Sequence, residues 1–241
     1  MIDWLKPDPR KAPSIELDGQ VLPIIVRRLA HARRMTLRLA PDGSEVRLSI
    51  PRWGRTAEAL AFARSRQDWL AGQLAAMPKA QAPQPGGTIP YRGTPLRIAH
   101  LPQRRRRPEL ADGTIHIGGP AEALAARLRR WLEAEARAHL ALDLGEYCER
   151  AGRPVPRLAL TNAQRRWGSC GPEGSIRINW RLIMAPDFVR RSVVAHEVAH
   201  LVHFDHSPRF HALLGELFEG DIAAANHWLK HEGRGLYAPL G

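Results

Sequence analysis

The sequence predicts an α+β fold: a β-rich N-terminal part, then a mainly helical part that keeps a small antiparallel sheet. Three observations carry this. Short apolar and β-branched runs bounded by turn residues dominate residues 19–118. From Gly118-Gly119-Pro120 onward, long stretches place apolar residues three and four apart. The chain has 241 residues, 44% hydrophobic and 25% charged, ordinary values for a folded chain long enough to bury a core without staples.

In chain order, residues 1–18 are rich in Pro and charge and are expected to be poorly ordered. Strands are expected at 21–29, 34–39 and 45–50, with Pro41-Asp42-Gly43-Ser44 turning between the last two. A helix is expected over 57–77, capped by Thr56, with Leu60, Phe62, Trp69, Leu70 and Leu74 on its apolar face. The stretch 78–87, with three Pro and two Gly, reads as a linker. Short strands at 89–91, 96–99 and 114–117 enclose the basic run Arg104–Arg107. No internal repeat and no phosphate-binding Gly-rich motif is visible. This part, 19–118, reads as one domain, and 119–241 as a second.

The second domain opens with a helix over 121–151, marked by Leu124, Leu128, Trp131 and Leu132. Strands come next at 157–161, 165–169 and 175–179. Pro186 suits the first turn of a helix and Asp187 its positive end; that helix is expected to run to about Phe204. Helices near 208–218 and 221–231 complete the chain.

Charge needs discounting before it is used. Lys+Arg outnumber Asp+Glu by 36 to 24, a formal net charge of +12, but 32 of the 36 are Arg, a skew that compositional bias alone produces. A basic balance favours attraction to polyanions without identifying one, so nucleic acid stays open as a partner. Two cysteines, Cys148 and Cys170, exclude a disulfide-dense scaffold and lack the spacing of a thiolate zinc site. No apolar run approaches the roughly 18 residues of a membrane span, and the N-terminal residues lack a signal-peptide stretch, so a cytoplasmic location is expected.

Chemistry concentrates near the C-terminus, where seven of the eleven His lie between 196 and 231. The core is His196-Glu197-Val198-Ala199-His200, followed by His206. On a helix, His196 and His200 are one turn apart and aim the same way, so two imidazoles converge on one cation. Glu197 lies about 100° further round, within reach of a metal-activated water. That arrangement suits metal-assisted hydrolysis with Glu197 as general base. His206 is the expected third ligand, because Pro208 disfavours helix at Ser207 and a turn there brings His206 back. His203, one turn beyond His200, is the main rival, and Glu216 a weaker one. Cys170 as a fourth ligand would close a site that catalysis needs open. Arg166, His203 and Tyr237 are candidates for stabilising an oxyanion.

Beyond these residues, an ordered set of motifs resembles the YgjP-like family of metallopeptidase-related proteins. The set is Arg166-Trp167-Gly168-Ser169-Cys170, Ile178-Asn179-Trp180-Arg181-Leu182, Ala185-Pro186, Val193–His200 and His206-Ser207-Pro208-Arg209-Phe210, with Trp228-Leu229-Lys230 near the end. The likeness spans about residues 20–235, and the chain more distantly resembles the SprT-like and M48-type peptidases. The resemblance implies a zincin-like C-terminal domain, with His196, His200 and His206 on zinc and Glu197 as catalytic acid/base. His211 departs from it, since the family often has Trp there. A zinc metallopeptidase acting on peptide or protein substrates is thus the leading expectation. Its alternatives are a metal-dependent phosphohydrolase acting on nucleotides through Arg165, Arg166 and Arg209, and a zinc-containing nucleic-acid or partner-binding module without catalysis.

Overall fold

Asp18-Gly19, Arg92-Gly93 and Asp112-Gly113 each take positive φ at both residues, from +48° to +81°. This is the backbone of the two-residue hairpin turn whose twist matches the strands it joins. In the computed structural model, which describes residues 13–40, 43–76 and 82–240, these pairs close three hairpins. The first joins β1 (Ser14–Leu17) to β2 (Gln20–Leu29); β3 (Thr36–Leu39) and β4 (Val46–Pro51) complete a four-stranded sheet ordered β1-β2-β4-β3. The other two join β5 (Thr88–Tyr91) to β6 (Thr94–His100), and β7 (Glu109–Ala111) to β8 (Thr114–Ile117), in a sheet ordered β5-β6-β8-β7.

The two sheets share one topology. In each, two antiparallel hairpins meet through a central parallel pair, β2 with β4 and β6 with β8. Ile24 lies opposite Val46 in the first, and Ile98 opposite Ile115 in the second. The sequence shows no repeat, yet the fold contains one, because a few alternating apolar positions and a turn glycine suffice to build it.

The chain divides into two compact units between Lys79 and Ala80. In the first, the sheet packs Leu22, Ile24, Val46, Leu48 and Ile50 against Ala59, Ala63 and Leu70 of two short helices, α1 (Thr56–Arg64) and α2 (Gln67–Ala75). The single helix expected over 57–77 is thus interrupted at Ser65-Arg66, where the Ser65 hydroxyl bonds the Phe62 carbonyl. Thr56 is the first helical residue, and Arg55 precedes it without a side-chain cap. Of the segment expected to be poorly ordered, residues 14–17 form β1, and 1–12 lie outside the described residues. Pro41-Asp42 of the expected turn, Met77 of the expected helix and residues 78–81 of the expected linker lie outside them too.

The second unit differs from the domain boundary expected at 118/119. Ile89, Ile98, Ile115 and Ile117 share one core with Leu124, Leu128, Leu132 and Leu140 of α3 (Leu124–Arg150), so the second sheet belongs with the C-terminal helices. Strands β9 (Leu158–Thr161), β10 (Gly168–Cys170) and β11 (Ile176–Asn179) form a three-stranded sheet ordered β10-β11-β9. β10 runs antiparallel to β11 as expected, but β9 runs parallel, so the sheet is mixed. Three helices complete the unit: α4 (Asp187–Ala199), α5 (Pro208–Leu217) and α6 (Ile222–His231). No helix among the described residues is long and apolar enough to cross a membrane.

The β5–β6 hairpin tip docks at the start of α4. Arg92 and Gly93 donate their N–H groups to the carbonyls of Ile183 and Met184 at 2.8 and 3.1 Å. A Cβ on Gly93 would stand 3.0 Å from Pro186, so only glycine permits this approach. The Arg92 guanidinium then pairs with Asp187. The second sheet therefore fixes where the His-bearing helix begins.

Candidate metal centre

Helix α4 buries Val189, Val193, Val194, Ala195, Val198 and Ala199, which leaves His196 half-buried on its other side, with the half-buried His200 following as the C-cap. The helix ends at Ala199, five residues before the expected end at Phe204. His203 donates its N–H to the Ala199 carbonyl at 2.9 Å, tightening the chain into a turn. Asp205 accepts from the Ser207 N–H, and the Ser207 hydroxyl caps α5 by accepting from Phe210 N–H, with Pro208 as the first helical residue. That turn carries His206 back over the helix.

His196, His200 and His206 converge, each offering a ring nitrogen within 4.8 Å of the others. Among the described residues, no other group of three His, Cys, Asp or Glu does so. The His206 and His196 Nε2 atoms are 3.3 Å apart. Two nitrogens at zinc's usual bond length and tetrahedral angle stand roughly 3.4 Å apart, so this spacing fits one small cation. Burial holds His196 neutral, its pKa lowered to about 4, aided by the neighbouring His200 and His206, and burial also lowers His200. Neutral imidazoles are what a metal requires. His200 Nδ1 donates to the His203 carbonyl at 3.0 Å, which leaves Nε2 with its lone pair facing the centre. The donor set and its spacing fit a zinc-type ion.

Phe210, fully buried, underlies all three rings, with centroids 5.0, 4.5 and 4.9 Å from those of His196, His200 and His206. Its part was missed in the sequence; its position three residues after the capping Ser207 was the available signal.

Glu197 is 5% exposed, and burial pushes its carboxyl up to about 7 despite a hydrogen bond from the Cys170 backbone and the positive charge of Arg166. It lies against β10, where a Cβ on Gly168 would stand 2.7 Å from Glu197 Cγ. Trp167 is packed on Tyr237, with centroids 5.7 Å apart, and on Gly233. The run Trp167-Gly168-Ser169-Cys170 is thus both a packed corner and the edge strand beside the carboxylate.

The rival residues fall elsewhere. The His203 side chain is outside the converging group, and its contribution is the carbonyl. Glu216 is exposed on α5 and outside the group. Cys170 is also outside it; burial first, then the Glu197 charge, raises its thiol. Tyr237 does not serve an oxyanion: it is 4% exposed, and its hydroxyl donates to the Ala163 carbonyl at 3.0 Å and accepts from Asn179 Nδ2 at 3.2 Å. Arg166 is exposed and acts electrostatically on Glu197.

A helix carrying two imidazoles one turn apart, a third returned by a turn, and a buried carboxylate beside the first has the arrangement of metal-dependent hydrolases. The chain belongs to the YgjP-like family: the family model described as YgjP-like, metallopeptidase domain, matches residues 33–232. By class it is a metal-dependent peptidase. No curated protein matches it. Among solved structures, the metallopeptidase zymogen of Pyrococcus abyssi abylysin is similar, at 15% identity and a TM-score of 0.35, over 42% of this chain and 99% of that one.

Proposed function

We propose that the protein is a zinc peptidase in which His196, His200 and His206 hold the ion and Glu197 is the general base. When bound, zinc supplies Lewis acidity that polarises a peptide carbonyl and lowers the pKa of water towards 7. Glu197 takes a proton from the attacking water as its oxygen bonds to the carbonyl carbon. The carboxyl then delivers that proton to the nitrogen of the breaking C–N bond. A pKa of about 7, set by burial, matches a group that must accept and release a proton near neutrality. Arg166, exposed beside the carboxylate, is the residue best supported as an oxyanion partner.

Substrate is positioned along β10. This strand is an edge of its sheet and lies against α4, so an extended polypeptide can add to it through main-chain hydrogen bonds. The single observation that carries the proposal is the convergence of three imidazoles beside a buried carboxylate.

Glu197→Gln tests it. The variant should retain about one equivalent of zinc and lose turnover of an unfolded protein substrate by roughly 10²–10⁴-fold. Undiminished hydrolysis would remove Glu197 from the mechanism, and a chain that binds no zinc would remove the centre.

A further inference from the structure

β11 pairs in parallel with β9, with Arg177 opposite Ala159, and the ladder continues to Arg157, whose carbonyl accepts from Ile176 N–H at 3.0 Å. Side chains alternate along a strand, so Arg157, Ala159 and Arg177 share the face opposite buried Ile176 and Ile178. Arg153 joins them from the loop after α3, its N–H fixed on the Cys148 carbonyl at 2.9 Å. Arg153, Arg157 and Arg177 all line one hollow of about 600 Å³. Its apolar walls include Val155, 60% exposed, and Leu201, the residue after His200.

The charge of this hollow is unbalanced. Glu173 lies at its rim, yet none of the three arginines forms an ion pair with it or with any other carboxylate among the described residues. Between α3 and α4, by contrast, neighbouring arginines are neutralised: Arg190 is paired with Asp143, and Arg191 with Glu146 and Glu219. The three exposed guanidiniums therefore give the hollow a positive field that attracts an anionic group.

We propose that this hollow binds acidic side chains of a polypeptide substrate, which makes the peptidase selective for acidic segments. The inference rests on the peptidase reading, and it gives that reading a substrate class. Guanidinium forks suit carboxylates, and the apolar walls suit the methylenes and neighbouring apolar residues of a peptide. A polynucleotide instead needs an open basic track for successive phosphates, whereas here the arginines surround a single hollow shared with Pro154, Val155 and Leu201.

The test uses full-length Glu197→Gln protein, so that binding is read without cleavage. A fluorescein-labelled peptide alternating Val and Glu is titrated beside its Gln-for-Glu twin and a single-stranded oligonucleotide of equal charge. The acidic peptide should bind at least about tenfold more tightly than its twin and the oligonucleotide, an advantage that shrinks with salt. Arg157→Ala and Arg177→Ala, each added to this protein, should cost about tenfold for the acidic peptide alone, with the melting temperature unchanged or raised. Equal binding of the two peptides, or preference for the oligonucleotide, would overturn the inference. Cleavage by the unmutated protein separates the two readings. Selective binding without cleavage of any peptide sinks the peptidase and spares the hollow; cleavage of both peptides with equal binding does the reverse.

Discussion

Gly168 and Glu197 are in direct contact: the backbone of the edge strand passes so near the carboxylate that residue 168 has no room for a Cβ, which would lie 2.7 Å from Cγ and 2.8 Å from Cδ. Gly168→Ala should therefore displace the proposed base without touching a ligand. A shift of about 1 Å in a catalytic group costs about 100-fold, so kcat should fall by that order while zinc content is retained. Steady-state kinetics beside metal analysis would check it, and full activity in the variant would mean the contact is not used.

His206 reaches the centre from outside α4 and is the exposed member of the three converging histidines. His206→Ala should weaken zinc binding by at least about 100-fold, more than the loss of a group that merely orients a ligand. Glu216→Ala, on the exposed face of α5, should leave zinc affinity unchanged. Competition with a chromophoric chelator measures both. Equal loss in the two variants would return Glu216 to consideration as a ligand.

What was legible in the sequence is local. His196 and His200 are set by a helical period, and His206 by the break that Pro208 imposes, because each depends on backbone geometry within a few residues. The end of α4 was not legible: nothing in Leu201-Val202-His203 opposes helix, and the turn at Ala199–His203 is held by the return of the chain into the site. The division at 79/80 was hidden for a similar reason. Gly118-Gly119-Pro120 looks like a boundary, but Ile115 and Ile117 before it and Leu124 and Leu128 after it fill one core. Parallel pairing of β2 with β4 and of β6 with β8 joins strands that are not consecutive, so alternation within each strand could not reveal the shared topology. Tyr237, placed among the oxyanion candidates for its hydroxyl, spends that hydroxyl on Ala163 and Asn179.

Asp187 ties the start of α4 to the second sheet and should make the protein acid-sensitive. Burial alone would raise its carboxyl, but the hydrogen bond from Arg92 and the Arg190 charge overcome this and hold it at about 2, below its ordinary 3.8. A depressed folded value means that the contribution is present above about pH 4 and lost as pH falls through 2. The carboxylate is 35% exposed, so solvent screening reduces its worth to about 1 kcal/mol. Asp187→Asn should lower the melting temperature by roughly 2–4 °C at pH 7, and the difference should narrow between pH 4 and 2. A difference independent of pH across that window would show that the pairing does not stabilise the fold.

Deeper along the same helix, Arg190 and Asp143 form a pair with side-chain exposures of 3% and 6%, Arg190 Nε donating to Asp143 Oδ2 at 2.7 Å. This pair locks α4 to α3, one helical face behind the histidines. Removing Asp143 leaves the buried Arg190 guanidinium with Asp187 alone as its partner, so Asp143→Ala should destabilise by about 1.5–3 kcal/mol. Arg191 also reaches Asp143, at 3.3 Å, but it keeps Glu146 and Glu219 and is not stranded by the change. The double variant Asp143→Leu with Arg190→Met replaces both charges by apolar volume and should recover most of that loss. Denaturant unfolding of the single and double variants measures the coupling. If the single variant unfolds at the midpoint of the unmutated protein, α4 is held by its apolar face alone, and the buried pair contributes nothing to the placement of His196 and Glu197.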